Sequence, residues 1–307
     1  MKRNILLILF ILLIILGGVW LFSLRPARMT TGDANIHVVA SFYPLAHIIS
    51  VVGGDLVSVR TLTPAGAEPH DFELSPQDFI EIDKAQLLIY NGAGFEPWVT
   101  KWNTSGSKRT VHIIDMAKSL TEYSVPLFER NGAVNPHFWL DPMIYKKEVE
   151  VVRDALIASD PAHQEFFREH ADELMLKLDA LDQHFQKGLA SCSVHDIVVS
   201  HDAFGYLGAR YGISVTSIAG ISPDEEPAPK DLARIATVAR EKNVRYIFSE
   251  TIANPKFSEA IAREIGATTL VLNPLESLTL SEVQSGEDYI SKMELNLVNL
   301  EKAMSCQ

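Results

Sequence analysis

The sequence predicts an α/β fold of two βα lobes, each built on a mostly parallel sheet and joined by one long, rigid helix. Three observations carry that expectation. Short apolar and β-branched runs alternate with stretches of helical spacing in both halves of the chain, the pattern of parallel sheets covered by helices. One uninterrupted helical stripe breaks the alternation near the middle. Of the 307 residues, 47% are hydrophobic and 21% charged, which suits a globular chain long enough for two cores. The same mixture rules out disorder, collagen and a multi-span membrane protein.

Residues 1–28 precede this pattern. Lys2, Arg3, Arg25 and Arg28 give them a charge of +4 with no acid, so a total of −12 leaves −16 on the other 279 residues. Residues 5–22 form an uncharged run of 18, mostly Ile and Leu. A secretory signal has an apolar region of roughly 7–15 residues and a small-residue cleavage site, whereas a spanning helix needs about 17–25. The run matches a membrane anchor better, and Ser23-Leu-Arg-Pro-Ala-Arg28 offers no Ala-x-Ala site; a cleaved signal is the alternative. The first cysteine is Cys192, so no lipoprotein cysteine follows the run. Basic residues flank both ends, which leaves orientation open. Either way the acidic remainder is extracytoplasmic, in a periplasm or at a cell surface. Its charge argues against a nucleic-acid partner.

The N-terminal lobe, 36–158, opens with a strand at 37–41, a helix at 44–52 and a second strand at 57–62. Ser75 and Pro76 supply an N-cap and a first-turn proline for the next helix. Residues 86–90 read as an apolar strand ending at Asn91-Gly92, and 111–114 as another. In the connecting segment, 159–190, Asp160 caps the helix and Pro161 suits its first turn. Phe167, Ala171, Leu174, Leu178, Leu181 and Phe185 then recur three or four residues apart. A helix over 161–190 would be about 45 Å long, more than one small lobe, so it runs along two.

The C-terminal lobe, 194–307, resumes the alternation with strands at 196–200, 213–218, 246–249 and 268–272. Helices fall between them, at about 202–211, 230–242 and 255–265. A last helix, about 287–304, returns Cys306 towards Cys192. These are the only two cysteines, and an even count permits one bridge; two buried free thiols is the other reading. They lack the tight spacing of a zinc pair.

Several chemical motifs are absent from the sequence: no G-x-x-x-x-G-K-[ST] phosphate loop, no H-E-x-x-H helix, no G-x-S-x-G elbow. Gly92-Ala-Gly94 has Pro97 where a dinucleotide fingerprint needs its third glycine, and reads as a turn. The ten histidines are the better lead. His163, His170 and His184 lie on the connecting helix and are expected to face solvent. For His37, His47, His112 and His195 a hydrogen-bonded structural role is the default. Three differ by position. His201 directly follows an apolar strand, His70 closes a short loop after the strand ending near Thr63, and His137 sits between prolines that stiffen its segment. In open α/β sheets ligands bind beyond the carboxyl ends of strands. Glu276 follows the last strand in the equivalent place. Three imidazoles and a carboxylate would make a four-coordinate shell suited to zinc, with unrelated structural roles as the alternative.

The stretches Ala40-Ser-Phe-Tyr-Pro44, Gly66-Ala-Glu-Pro-His-Asp-Phe-Glu-Leu-Ser-Pro76, Asn135-Pro-His-Phe-Trp-Leu-Asp-Pro142, Ser200-His-Asp-Ala-Phe-Gly-Tyr206, Ile221-Ser-Pro-Asp-Glu-Glu-Pro227 and Asn273-Pro-Leu-Glu276 occur in this order. Together they resemble the metal-binding solute-binding proteins of ABC importers for zinc and manganese, a family with a rigid interlobe helix. The resemblance spans about residues 37–303 and implies a metal site in the cleft between the lobes. It places the family's histidine ligands on His70, His137 and His201. Many members end the last strand with Asp-Pro-Leu-Gly and use that aspartate; Asn273 stands there, and a neutral amide is a poorer ligand. Some zinc-binding members use a glutamate three residues on, which Glu276 matches, with water or Glu68 as weaker candidates. Manganese members tend to carry glutamate where His201 stands, so the nitrogen-rich shell implies a zinc-type member. Copper or nickel would also bind such a site in vitro. The His-rich loop of some zinc members is absent, because residues 125–135 contain no histidine.

The resemblance implies a non-enzymatic, monomeric binding protein that takes Zn2+ as a transported ligand rather than a catalytic cofactor and delivers it to an ABC permease membrane subunit. Neutral imidazoles are required, so affinity should fall as pH drops below about 6.5. Three other readings remain: a manganese or other divalent-metal binder, a cell-adhesion protein of the same fold, and a zinc hydrolase. The last would leave Glu276 unbound and use Glu68 or Asp202 as base, with no paired acid or nucleophile beside it.

Overall fold

The apolar strand runs fold into two four-stranded parallel sheets. A computed structural model describes residues 35–104, 110–130 and 132–307. The apolar run at 5–22 lies outside them. Among the described residues no helix is long and apolar enough to cross a membrane.

The first sheet contains β1 (Ile36–Ala40), β2 (Val57–Thr61), β3 (Leu87–Tyr90) and β4 (His112–Asp115), in the order β2-β1-β3-β4. Every pair is parallel. All four β3 residues are buried, as expected of an inner strand with both faces covered. Its helices are α1 (Tyr43–Gly53), α2 (Pro76–Lys84), α3 (Trp98–Thr104) and α4 (Met116–Glu122). The Ser75 hydroxyl caps α2, with Asp78 returning the bond in a capping box. A short antiparallel hairpin, β5 (Glu129–Arg130) with β6 (Ala133–Val134), follows.

Two consecutive helices then cross the middle of the molecule. α5 (Pro142–Ser159) is an addition to the expected elements. Asp141 caps it by accepting the Met143 N–H at 2.8 Å, and Pro142 fills its first position. Asp160 caps a short 3-10 turn, Pro161–His163, before α6 (Gln164–Gly188) begins. α6 is 25 residues, about 37 Å long. It buries the expected stripe of Phe167, Ala171, Leu174, Leu178, Leu181 and Phe185. His184 is exposed as expected, but His170 is half-buried and packs edge-on against Phe166, 4.0 Å between ring centres.

The second sheet repeats the first. β7 (Asp196–Val199), β8 (Ser214–Ser217), β9 (Tyr246–Ser249) and β10 (Thr268–Val271) are parallel in the order β10-β9-β7-β8. The remaining helices are α7 (Gly205–Tyr211), α8 (Pro229–Glu241), α9 (Lys256–Ile265), α10 (Leu280–Gln284) and α11 (Tyr289–Met304). Cys192, just after α6, is disulfide-bonded to Cys306, just after α11. Both cysteines are therefore bridged rather than free.

One apolar core runs through both lobes. It includes Val38 of β1, Leu45 of α1, Val152 of α5, Leu178 of α6, Val199 of β7 and Leu300 of α11. The helix α6 packs against α1, α5 and α11. In each sheet the chain steps outward from its first strand and then crosses to the other side, which creates a crevice at the carboxyl edge. The loops leaving those edges carry His70, His201 and Glu276, and His137 follows the β5–β6 hairpin.

Candidate metal centre

Each of the four side chains is delivered by a short, constrained loop. His70 lies in a one-turn 3-10 helix, Pro69–Asp71, capped by a Glu68 carboxyl oxygen, which accepts the His70 N–H at 3.1 Å. The loop before it reverses at Gly66, whose φ of +79° suits a residue without Cβ. The Gly66 N–H reaches across to the Leu278 carbonyl at 2.9 Å and the Ser277 hydroxyl at 3.0 Å. His137 follows Pro136, and the Asn135 Oδ1 accepts both its backbone N–H at 3.0 Å and its Nδ1–H at 2.9 Å. The Asn135 Nδ2 donates to the Asp202 carbonyl at 2.8 Å, which fixes the amide orientation. His201 stands two residues beyond β7, its Nδ1 2.5 Å from the Glu250 carboxylate. That carboxylate, just past β9, also accepts the Ser200 hydroxyl.

Glu276 lies in the loop after β10. The Asn273 Oδ1 accepts the Leu275 N–H at 2.8 Å, and the Trp139 Nε1–H donates to the Pro274 carbonyl at 2.8 Å. Leu275 sits at φ +57°, a left-handed conformation that costs a leucine about 1–2 kcal/mol. These contacts turn Glu276 inward. The Asn273 side chain points elsewhere, its Nδ2 donating to the Thr251 hydroxyl at 3.2 Å.

Among the described residues, His70, His137, His201 and Glu276 are the group whose ligand atoms lie within 4.8 Å of one another. Glu276 Oε1 is 3.4 Å from the His70 Nε2, 3.1 Å from the His137 Nε2 and 3.1 Å from the His201 Nε2. The His137 Nε2 is 3.1 Å from that of His70 and 3.3 Å from that of His201. Five of the six edges of the ligand tetrahedron thus measure 3.1–3.4 Å, and a regular tetrahedron of that edge has a centre about 2.0 Å from each corner, the ordinary zinc–nitrogen and zinc–oxygen distance. His137 and His201 are fully buried and Glu276 is 3% exposed. Glu68 and Asp202 are not among the converging groups.

Hydrogen bonding alone does not account for the cluster. With Nδ1–H of His137 committed to Asn135, its neutral ring presents a bare Nε2 lone pair inward. Burial pushes the His137 pKa down to about 3, against the pull of Glu276, so this ring stays neutral. Burial also opposes charge on His201, but the Glu250 and Glu276 carboxylates outweigh it and hold its pKa well above the usual histidine range. Burial would raise Glu276, yet the charge on His201, with the bonds from His201 and His70, holds it well below the usual carboxylate range. Without metal, then, a proton on His201 does part of the work of a cation. Glu68 differs: burial, with the Glu276 charge next, raises it to about 9, leaving a neutral carboxyl. Aromatic rings wall the cluster, with Phe95 edge-on to His70 at 4.5 Å and Trp139 5.2 Å from His137 between ring centres.

The supporting partners Asn135 and Glu250, and the walls Phe95 and Trp139, escaped the sequence expectations. Glu250 carried a usable signal, since it leaves the carboxyl end of a strand as His201 does.

The family model for the zinc-uptake complex component A, periplasmic (ZnuA), matches residues 38–303. The high-affinity zinc uptake system protein ZnuA of Bacillus subtilis is 34% identical over 292 residues, covering 92% of this chain and 91% of that protein. Among solved structures, the Zn(II)-bound ZnuA-like domain of Streptococcus pneumoniae AdcA superposes with a TM-score of 0.77 at 34% identity, covering 88% of this chain and 99% of that one. The laminin-binding protein Lmb of Streptococcus agalactiae, described as a bifunctional protein with adhesin and metal transporting activity, superposes with a TM-score of 0.80 at 30% identity. That match covers 88% of this chain and 100% of the other. The full-length pneumococcal zinc-binding lipoprotein AdcA is longer, and the chain spans 58% of it.

Proposed function

The chain belongs to the ZnuA family of zinc-uptake components, and on that premise we propose that it captures Zn2+ outside the cytoplasm with His70, His137, His201 and Glu276. It then hands the ion to an ABC-type permease. The protein acts as a monomer, tethered through residues 5–22 or secreted after their removal. The observation that carries the reading is the convergence of three Nε2 atoms and one carboxylate oxygen at tetrahedral edge distances.

Charge supports a divalent cargo. Two neutral imidazoles with defined Nδ1 donors, the Glu276 carboxylate and the Glu250 carboxylate behind His201 place two negative charges around one Zn2+, so the buried assembly is neutral overall. Nitrogen-rich ligation favours zinc over manganese, whose harder ion prefers oxygen. Four protein ligands close the shell. A hydrolytic zinc needs an open position for water, so the geometry disfavours catalysis. No residue of the site favours the adhesin reading over zinc capture.

Metal analysis of the protein beginning near residue 33, with each of the four residues changed singly to alanine, tests this. The parent should hold one zinc per chain, and each variant should bind it at least about 100-fold more weakly. Unchanged binding in Glu276→Ala would remove the fourth ligand from the account.

A further inference from the structure

Among the described residues, the strand β10 is an edge of its sheet, with no strand beyond it. Two asparagines of α11 take a strand's place along it. Asn299 Nδ2 donates to the Val271 carbonyl at 2.8 Å. Asn296 makes both bonds of a strand pair to a single residue: its Oδ1 accepts the Asn273 N–H at 2.8 Å, and its Nδ2 donates to the Asn273 carbonyl at 2.7 Å. Asn296 is 1% exposed and Asn273 4%, so water does not substitute freely for either bond.

The constraint is passed onward. With its backbone clasped, Asn273 uses its own Oδ1 to hold the Leu275 N–H at 2.8 Å. The left-handed turn at Leu275 aims the next residue, Glu276, at the three imidazoles. We propose that Asn296 is a positioning residue for metal capture: by fixing the backbone of Asn273 it sets where the Glu276 carboxylate meets the histidines. This rests on Glu276 being the fourth ligand. Asn296 itself bonds the backbone of Asn273 and makes no hydrogen bond to the four side chains, so its effect on metal passes entirely through the loop.

The test uses the full chain and two readouts, zinc affinity by competition with a chromophoric chelator and the visible d–d absorption of the Co2+-substituted protein. The absorption reports four-coordinate geometry directly, which a merely structural loss of stability would leave unchanged. Asn296→Leu removes both bonds at similar volume, and Asn296→Ser keeps room for water. Both should weaken zinc binding about 10- to 100-fold and alter the cobalt bands in the direction of Glu276→Ala. Asn299→Ala, on the same helix, should leave both readouts at parent values. Folded position-296 variants with the parent affinity and cobalt spectrum would overturn the proposal, and so would failure of both to fold, which would make Asn296 a residue of the fold alone. If Glu276→Ala itself leaves both readouts unchanged, the fourth-ligand reading fails first; if Glu276→Ala changes them and the position-296 variants do not, only the positioning role fails.

Discussion

Each imidazole of the cluster turns Nε2 inward, and the two whose Nδ1 partners are defined are held by chemically different groups. His137 donates to a neutral amide, Asn135, whereas His201 faces the Glu250 carboxylate at 2.5 Å. The neutral partner leaves burial in control, so His137 is driven to about pKa 3, while the charged partner keeps His201 protonated well above the ordinary range. Zinc must therefore displace a proton from His201. The limit near pH 6.5 expected for an unperturbed histidine moves upward, because the folded site holds its proton more tightly than solvent does. The sign follows: below the raised pKa, zinc competes with a bound proton, so affinity rises with pH by about tenfold per unit. Calorimetry at pH 7.5 in buffers of differing ionisation enthalpy should find about one proton released per zinc. Release of none would contradict the assignment. At this scale the sequence was legible where chain position alone matters, since His70, His201 and Glu276 follow strand ends and His137 sits in a proline-stiffened segment. Glu250 was legible only in part: it leaves a strand end as His201 does, but its partnership with His201 depends on β9 lying beside β7, a pairing that no local spacing reveals.

Among the elements, periodicity made α6 readable, with its buried stripe emerging residue for residue. The preceding helix α5 was missed although Asp141 and Pro142 mark its start, because its apolar positions are interrupted by Glu148, buried without a hydrogen-bond partner among protein groups. Burial drives the Glu148 pKa well up, so it sits there as a neutral acid. Between α1, α5 and α11, His47 stacks near Tyr145 and Tyr289, whose rings lie 3.9 Å apart. Its Nδ1–H donates to the Tyr145 oxygen at 3.0 Å, since that hydroxyl donates to the Pro44 carbonyl. Burial lowers its pKa to about 4. Between pH 6.5 and 4 the unfolded chain binds this proton and the native chain does not, so His47 makes stability fall as pH falls. His47→Gln, which retains a donor, should flatten that decline in urea melts of the metal-free protein; an unchanged slope would refute the shift. The disulfide joins elements 114 residues apart and should contribute up to about 4–5 kcal/mol through the unfolded chain. The Cys192→Ser/Cys306→Ser pair should lower the urea midpoint accordingly yet keep one zinc per chain. A midpoint equal to the parent's would contradict this.

Across the whole molecule, the two sheets share one apolar core, and loops from both lobes are hydrogen-bonded to each other around the cluster. Gly66 binds Leu278 and Ser277, Trp139 binds Pro274, and Asn135 binds the Asp202 carbonyl. The four ligand atoms accordingly stand at coordination spacing through protein contacts alone. Capture then needs small side-chain adjustment, and metal should stabilise the fold by mass action, about 2.7 kcal/mol at a zinc concentration 100 times Kd. Such stitching was invisible in the sequence, since every bond in it joins residues 67 or more apart. Four side chains, and no water, should enclose one zinc. Anomalous diffraction at the zinc edge from zinc-loaded crystals tests it most directly. A single peak is expected about 2.0–2.2 Å from the Nε2 atoms of His70, His137 and His201 and from a Glu276 oxygen. A peak bound by the three histidines and a water, with Glu276 turned away, would contradict it.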